Sequence, residues 1–378
     1  MMNMKTINVA TVFSGIGSPE QALLRLGIPH NIVFACDNGE REIDIDYERE
    51  MSVVRSFSTP EQKCEYVNGL YSKSRQTNFV QKSYMSNYNI DVNKFYQDIL
   101  LLDGTDYVGK VDLFDGGSPC QRFSIAGARG GFEDTRGTLF FDVAEILRRY
   151  QPKAFFLENV KGLVIHDKGR TFKTILNTLD EVGYVVPDAE IVNAMYFGVP
   201  QHRERIFIVG FRKDLGISKA DFKYPEQKEV TKKWIDVREE NAVPAKYYLS
   251  TQYIQTLINH KARHEAKGNG FGYDIIPDDG IAHAIVVGGM GRESNLVIDF
   301  RQTDLTPTTR IKGEVNRQGW RKMTPREWAR LQGYPDTFDI VVADASAYKQ
   351  FGNSVAVPAI QATAEQILKT LKHYGHIR

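Results

Sequence analysis

Short apolar runs rich in β-branched and aromatic residues recur through the first 211 positions, with stretches of helical spacing between them. The runs stand at 6–13 (TINVATVF), 31–36 (NIVFAC), 111–114, 154–157 (AFFL), 184–186 and 205–211 (RIFIVGF). Ala22, Leu23 and Leu26 come after the first run at helical spacing. Leu139, Phe140, Val143, Ile146, Leu147 and Tyr150 precede the fourth run, and Phe172, Ile175, Leu176 and Leu179 precede the fifth. Strands that alternate with helices need crossover connections, so the chain reads as α/β with a doubly wound, mostly parallel sheet. No apolar run nears the roughly 18 to 20 residues that span a bilayer, and Met1 to Lys5 lacks the layout of a signal peptide. A cytoplasmic protein without membrane contact is expected.

The alternation also sets expected boundaries. A first domain covers 1–213, interrupted at 41–82 by a polar segment in which Thr59-Pro60-Glu61-Gln62 has the layout of a helix start. This segment reads as a helical insertion. From 214 to 296 the periodicity fails, and Lys and Glu clusters mix with Gly268, Gly270, Gly272, Gly288, Gly289 and Gly291, as in a second, smaller domain. Residues 297–345 form its return, and a C-terminal helix in 346–378 completes the first domain. Forty-eight Lys plus Arg against 47 Asp plus Glu leave a net charge of +1, which excludes an overall basic field, so any polyanion site is local. The candidate is 301–330, where eight basic residues, among them Arg321 and Arg326, face three acidic ones.

Chemistry concentrates after the strands. Phe13-Ser14-Gly15-Ile16-Gly17 lets backbone approach a ligand at a helix start, but Glu20 stands where a dinucleotide fingerprint needs its third glycine. A ligand without phosphates suits this turn. Asp37 ends the second run, where an acid can accept hydrogen bonds from ribose hydroxyls or simply cap a turn. Cys120, in Gly116-Gly117-Ser118-Pro119-Cys120-Gln121, comes after a strand at the edge where parallel sheets hold ligands. Cys36 reads as a buried hydrophobe, Cys64 shows no role, and three widely spaced cysteines form neither a disulfide framework nor a zinc site. Glu158 ends the fourth run, and Arg203 and Arg205 open the last. A thiolate, a carboxyl and a guanidinium are what addition to an aromatic pyrimidine needs: a nucleophile for C6, an acid for N3 and a cation for O2.

FSGIG (13–17), Asp98-Ile99, GGSPCQ (116–121), FEDTRGTLFF (132–141), ENV (158–160), QHRER (201–205), RKMTPREWARLQGYP (321–335) and YKQFGNSVAVP (348–358) occur in this order. On these segments the chain resembles the DNA (cytosine-5) methyltransferases of the bacterial restriction-modification or phage type. The resemblance implies a Rossmann-like fold dependent on S-adenosylmethionine, with S-adenosylhomocysteine as co-product and no metal. It implies that Phe13, Gly15, Ile16, Gly17, Asp37, Asp98, Ile99, Pro119, Leu139, Asn353 and Ser354 surround the cofactor. Two departures stand out. Asp37-Asn38 replaces the family's Glu and aromatic residue, and 41–82 has no counterpart in compact members.

By the same resemblance, Cys120 attacks C6 of a flipped-out cytosine, Glu158 protonates N3, and Arg205 holds O2 with support from Arg203. The loop after Cys120 carries Gln121, Arg122, Ser124 and Arg129 to fill the vacated space or contact phosphate, and Gly127, Gly130 and Gly131 permit its closure. Target recognition falls to 214–296, with Arg292 in a loop that enters the groove, and 297–345 becomes the DNA-facing part. The expected partner is double-stranded DNA bound by a monomer, with room for a cognate restriction endonuclease acting separately. A tRNA cytosine methyltransferase of the same superfamily and a catalytically silent DNA-binding homologue remain alternatives. A zinc deaminase is excluded, because Pro119-Cys120-Gln121-Arg122-Phe123 supplies one thiol of the P-C-x-x-C set.

Overall fold

The computed structural model describes residues 5–74, 76–117, 139–288, 291–306 and 313–377. In chain order its strands and α-helices are β1 (Ile7–Val12), α1 (Ser18–Leu26), β2 (His30–Cys36), α2 (Tyr47–Ser56), α3 (Pro60–Ser72), α4 (Phe79–Asn87), β3 (Phe95–Tyr96) and β4 (Leu113–Gly116). Next are α5 (Leu139–Tyr150), β5 (Ala154–Val160), α6 (Arg170–Glu181), β6 (Tyr184–Val185), β7 (Glu190–Asn193), β8 (Gln201–His202) and β9 (Glu204–Arg212). Then come α7 (Thr251–Glu265), β10 (Ala282–His283), β11 (Leu296–Ile298), β12 (Trp320–Lys322), α8 (Pro325–Leu331), α9 (Asp344–Asn353) and α10 (Val357–His373). The chain divides into a larger unit, Met1–Val192 with Glu204–Glu226 and Ala359–Arg378, and a smaller one, Asn193–Arg203 with Gln227–Pro358. These boundaries depart from 213 and 345: QHRER is cut between Arg203 and Glu204, and the FGNS turn belongs to the smaller unit.

The larger unit is built on a mixed sheet of order β3-β2-β1-β4-β5-β9-β6, with β7 also paired to β9. From β3 to β5 every pairing is parallel. Val9, Ala10, Val12, Phe34, Phe114 and Phe155 are fully buried, which is why these strands read as continuous apolar runs. The order reverses at β1, with β2 on one side and β4 on the other, so the crevice that holds ligands opens at the carboxyl ends of β1 and β4. β9 runs antiparallel to β5 and β6, an orientation that the apolar pattern of 205–211 does not encode.

The polar segment folds as the expected helices. Thr59 Oγ1 accepts the Gln62 N–H at 3.3 Å, with Pro60 at the first helical position. It is not an appendage, because it connects β2 to β3 and is packed into the sheet's own core. Cys64 lies buried in one cluster with Phe34 and Tyr96, and Val54 and Val67 bury Leu101. Lys63 is buried between Asp103 and Asp106, at 2.8 and 2.6 Å. Among the described residues no helix is long and apolar enough to cross a membrane.

The smaller unit carries short helices and two-stranded pairs, β8 with β10 and β11 with β12. Its interior is organised by charge as well as by apolar packing. Arg321 is 0% exposed and forks onto both Glu327 oxygens at 2.8 Å, while its Nε donates to Asp299 at 2.9 Å. This corrects the reading of Arg321 as a phosphate contact. Alternation along β12 turns it inward, and its charge is consumed by two buried carboxylates. Arg321→Ala leaves Glu327 buried without its cation and Asp299 with Arg301 alone, and is expected to cost about 3–5 kcal/mol, read as a lower urea midpoint. A variant of unchanged stability that bound DNA more weakly would restore the phosphate reading.

Candidate active site

At the crevice, β1 leads into Phe13 with φ 52°, an unusual conformation for a bulky residue, and then Gly15 and Gly17 with φ 53° and 77°. The two glycines differ. Space beside Gly15 is open apart from the Phe13 carbonyl oxygen at 3.9 Å, whereas a side chain at Gly17 would begin 2.1 Å from the Tyr88 ring. The Tyr88 hydroxyl donates to the carbonyls of Ile16 and Gly17, at 3.0 and 2.6 Å. Tyr88, just past α4, therefore closes the face of Gly17 where a phosphate would need to approach.

Asp37, after β2, bridges the turn: its two oxygens accept the Gly15 N–H at 2.9 Å and the Gly39 N–H at 2.8 Å. Burial raises its pKa, opposed by those two donors. Asp98, after β3, accepts Tyr71 and Tyr47 hydroxyls and the Leu100 N–H, and burial raises its pKa also. Ile99 packs partly buried against the main core, and Leu139 opens α5 half-buried. Behind the turn, Glu20 is 0% exposed; Oε1 accepts from Thr11 and Tyr84, at 3.2 and 2.5 Å, and Oε2 has no partner.

The other wall is made by β5 and β9. Glu158 lies opposite Phe207 and Val160 opposite Arg205, so Glu158 and Arg205 are diagonal neighbours on one face. Arg205 Nε meets Glu158 Oε1 at 2.8 Å, with both side chains mostly buried, and Nη1 donates to the Glu204 carbonyl at 2.8 Å. Glu158 Oε2 turns toward Gly117, lying 3.6 Å from where a side chain there would begin. Asp115 on β4 is in register with Thr11 and Phe156, which places it on the same face as Glu158. Burial pushes its carboxyl well above the usual range, and the charges of Glu20 and Glu158 push it further. Neither Glu20 nor Asp115 stands out in the sequence as a site residue, since a lone acid in a helix start or strand carries no pattern.

Other candidates fall elsewhere. Arg203 is buried in the smaller unit and donates to the carbonyls of Ile285, Gly352 and Ser354 at 2.7, 3.1 and 2.9 Å. The chain changes unit between Arg203 and Glu204, so the two arginines of QHRER belong to different units. The role of Arg203 is to hold the FGNS turn, with Gln332 donating to Phe351 and Ser354. In that turn Asn353 is exposed, and Ser354 is buried with its hydroxyl on the Phe351 carbonyl at 2.8 Å. Arg326 donates to the carbonyls of Pro335 and Phe338, at 3.3 and 2.8 Å, so that it too is committed internally. Arg292 is exposed over the Tyr348 ring at 5.3 Å. Pro119, Cys120, Gln121, Arg122, Ser124 and Arg129 lie outside the described residues.

Cys36 and Cys64 are free and buried, and burial pushes Cys64 up to about 12, which leaves both as inert thiols. No group of His, Cys, Asp or Glu among the described residues could hold a metal ion. The edge fits a ligand with hydroxyls and a positive charge but no phosphate: Asp37 and Asp98 offer acceptors, Glu20 holds an unpartnered buried oxygen, and Tyr88 covers Gly17.

The Glu20 pKa is raised by burial, against the hydrogen bonds from Tyr84 and Thr11. A raised carboxyl contributes stability that is present below its unfolded pKa and lost as pH rises through its folded one. Glu20→Gln cannot ionise, so the ligand-free variant is expected to gain melting temperature over wild type near pH 8, with the gain shrinking near pH 5. An identical difference at both values would contradict a titrating Glu20.

Fold and site together define an α/β protein with an acid and guanidinium pair at the ligand edge of its sheet. The model of the C-5 cytosine-specific DNA methylases matches residues 63–369, and the chain belongs to that family. The chain is 68% identical over 293 residues to the type II methyltransferase M.HpaII of Haemophilus parainfluenzae, covering 77% of this chain and 80% of that one. It is 41% identical over 310 residues to the type II methyltransferase M1.ScrFI of Lactococcus lactis subsp. cremoris, covering 82% and 74%. The crystal structure of S. pombe Dnmt2 methyltransferase shares the fold, with a TM-score of 0.59 and 19% identity over 97% of this chain and 99% of that one.

Proposed function

We propose that this DNA cytosine-5 methyltransferase carries a methyl group from S-adenosylmethionine to C5 of a flipped-out cytosine in a specific duplex sequence, through a transient bond from Cys120 to C6. The observation that carries this reading is the Glu158–Arg205 pair beside Gly117, three residues before Cys120. In a stacked duplex C5 and C6 are out of reach, and extrusion costs a few kcal/mol that contacts in the pocket offset. A free thiol has a pKa of about 8.5, so the attacking form is the thiolate. As Cys120 sulfur bonds to C6, an electron pair moves toward N3 and takes the Glu158 proton. Arg205 bears the charge at O2, and its bond to Glu158 Oε1 fixes the carboxyl while Oε2 faces Gly117. S-adenosylmethionine, when bound, supplies an electrophilic methyl group. Loss of the C5 proton to a base and of the Cys120 thiolate, with the N3 proton returned to Glu158, then restores the ring and the enzyme.

Phe13, Gly15, Asp37, Asp98, Ile99 and Leu139 would hold the donor in the larger unit. Of Arg292, Arg321 and Arg326, Arg292 is the one left exposed to meet DNA. The type II methyltransferases to which the chain is similar support a modification role on DNA; a monomer in the cytoplasm, beside a restriction endonuclease acting separately, completes the reading.

Purified protein is expected to label duplex DNA, not tRNA, from methyl-labelled donor, and a 5-fluorocytosine duplex should yield a protein adduct stable on denaturing gels. Cys120→Ser is expected to abolish both. Glu158→Gln should lower kcat roughly 10²- to 10⁴-fold while DNA is still bound. Full turnover in the serine variant would end the covalent reading, and labelled tRNA with unlabelled DNA would change the substrate.

A further inference from the structure

We propose that 41–82 is part of the cofactor site, with Tyr47 and Tyr71 as positioning residues that hold the Asp98 carboxylate as an acceptor for the base end of the methyl donor. This rests on S-adenosylmethionine occupying the sheet edge, as in the proposed function. Asp98 is 5% exposed, and its Oδ2 accepts the Tyr71 hydroxyl at 2.8 Å and the Tyr47 hydroxyl at 3.2 Å. Oδ1 accepts the Leu100 N–H at 3.0 Å. An ionised carboxylate offers about four acceptor positions, so three are filled and one, on Oδ1, is left for a ligand donor. Both phenols on one oxygen are what keeps the other available.

The placement indicates which part of the ligand is met. β1 carries the glycine turn, β2 carries Asp37 at the ribose position, and β3 lies one strand farther out with Asp98 just beyond it. A nucleoside laid across these ends puts its base at Asp98, and an amino group on that base is a donor of the kind Oδ1 can accept.

The phenols are themselves held. Tyr71 is 2% exposed, and the Arg41 guanidinium covers its ring at 4.9 Å, which holds the ring in place. Arg41 is buried and fixed by the Asn38 and Gln76 carbonyls, each at 3.1 Å. Arg41 sits directly after the Asp37 turn, so one continuous set of contacts joins the two acids. The groups facing Asp98 are Tyr47 from α2, Tyr71 from α3, Cys36 from β2 and Asp142 from α5. Burial keeps the Cys36 thiol protonated, and burial with the nearby Asp98 charge raises Asp142. The two phenols, with the Leu100 N–H, are thus the groups that favour the ionised form of Asp98 against burial. Without them, protonation of Asp98 moves to higher pH, and a protonated acid loses acceptor capacity.

The test is calorimetric titration of the full chain with S-adenosylmethionine and with S-adenosylhomocysteine, at about pH 6 and about pH 8.5. Wild type is compared with Tyr71→Phe, Tyr47→Phe, the double variant and Asp98→Ala. Asp98→Ala should weaken both ligands alike, since both carry the same base. Tyr71→Phe should weaken both roughly tenfold relative to wild type near pH 6 and less near pH 8.5, with the double variant lower still. Tyr47 is half-exposed, so Tyr47→Phe supplies the same pH split if Tyr71→Phe does not fold. Phenylalanine variants that match wild type, or that lose the same factor at both pH values, overturn the inference while Asp98→Ala still weakens binding. No donor binding by wild type, or none lost in Asp98→Ala, overturns the underlying reading of the site and this inference with it.

Discussion

β9 runs against β5 through seven paired residues, and this reversal is what brings an acid and a guanidinium together. In a parallel sheet only the carboxyl ends of strands reach the ligand crevice, and each contributes the residues just beyond its end: the glycine turn after β1, Asp37 after β2, Gly117 after β4. An antiparallel strand contributes its beginning instead. Arg205 therefore arrives beside Glu158 from a point 47 positions later, and the ion pair is set by backbone register before any side-chain contact is made. Shifting β9 by one residue would turn Arg205 to the opposite face.

The second feature of this edge is its surplus of acid. Glu20, Asp37, Asp98 and Asp115 all have carboxyl pKa values raised chiefly by burial, and no cation pairs with any of them among the described residues. Neutral hydroxyls and backbone N–H groups partner three of them. Contrast Asp299 in the smaller unit, where Arg301 and Arg321 overcome burial and hold the carboxyl below its ordinary range. One cluster is complete within the chain; the other gains from a positively charged guest.

Much of this was legible in the sequence because it rests on local pattern. The parallel strands show as apolar runs, the start of α3 as Thr59-Pro60, and Glu158 as the residue that ends its run. Spacing alone could not show what a side chain does once folded. Arg321 stands in a basic strip and is nonetheless fully buried, because strand alternation and two distant acids decide its environment. Arg203 and Arg205 look equivalent in QHRER, yet they serve different units. Tyr47 and Tyr71 lie in a segment whose polarity resembles a surface loop, and only the crossover from β2 to β3 carries their hydroxyls to Asp98.

Gly17 draws out a consequence of that crossover. The residue that forbids a side chain there is Tyr88, contributed by the connection from α4 toward β3, so the shape of the turn after β1 is partly dictated some 70 positions downstream. Anyone grafting these helices onto a compact relative, or trimming them away, must carry Tyr88 and Gly17 as a matched set. Drift at either site is coupled to the other: a smaller ring at 88 would relieve the steric veto at 17, though its positive φ would still favour glycine.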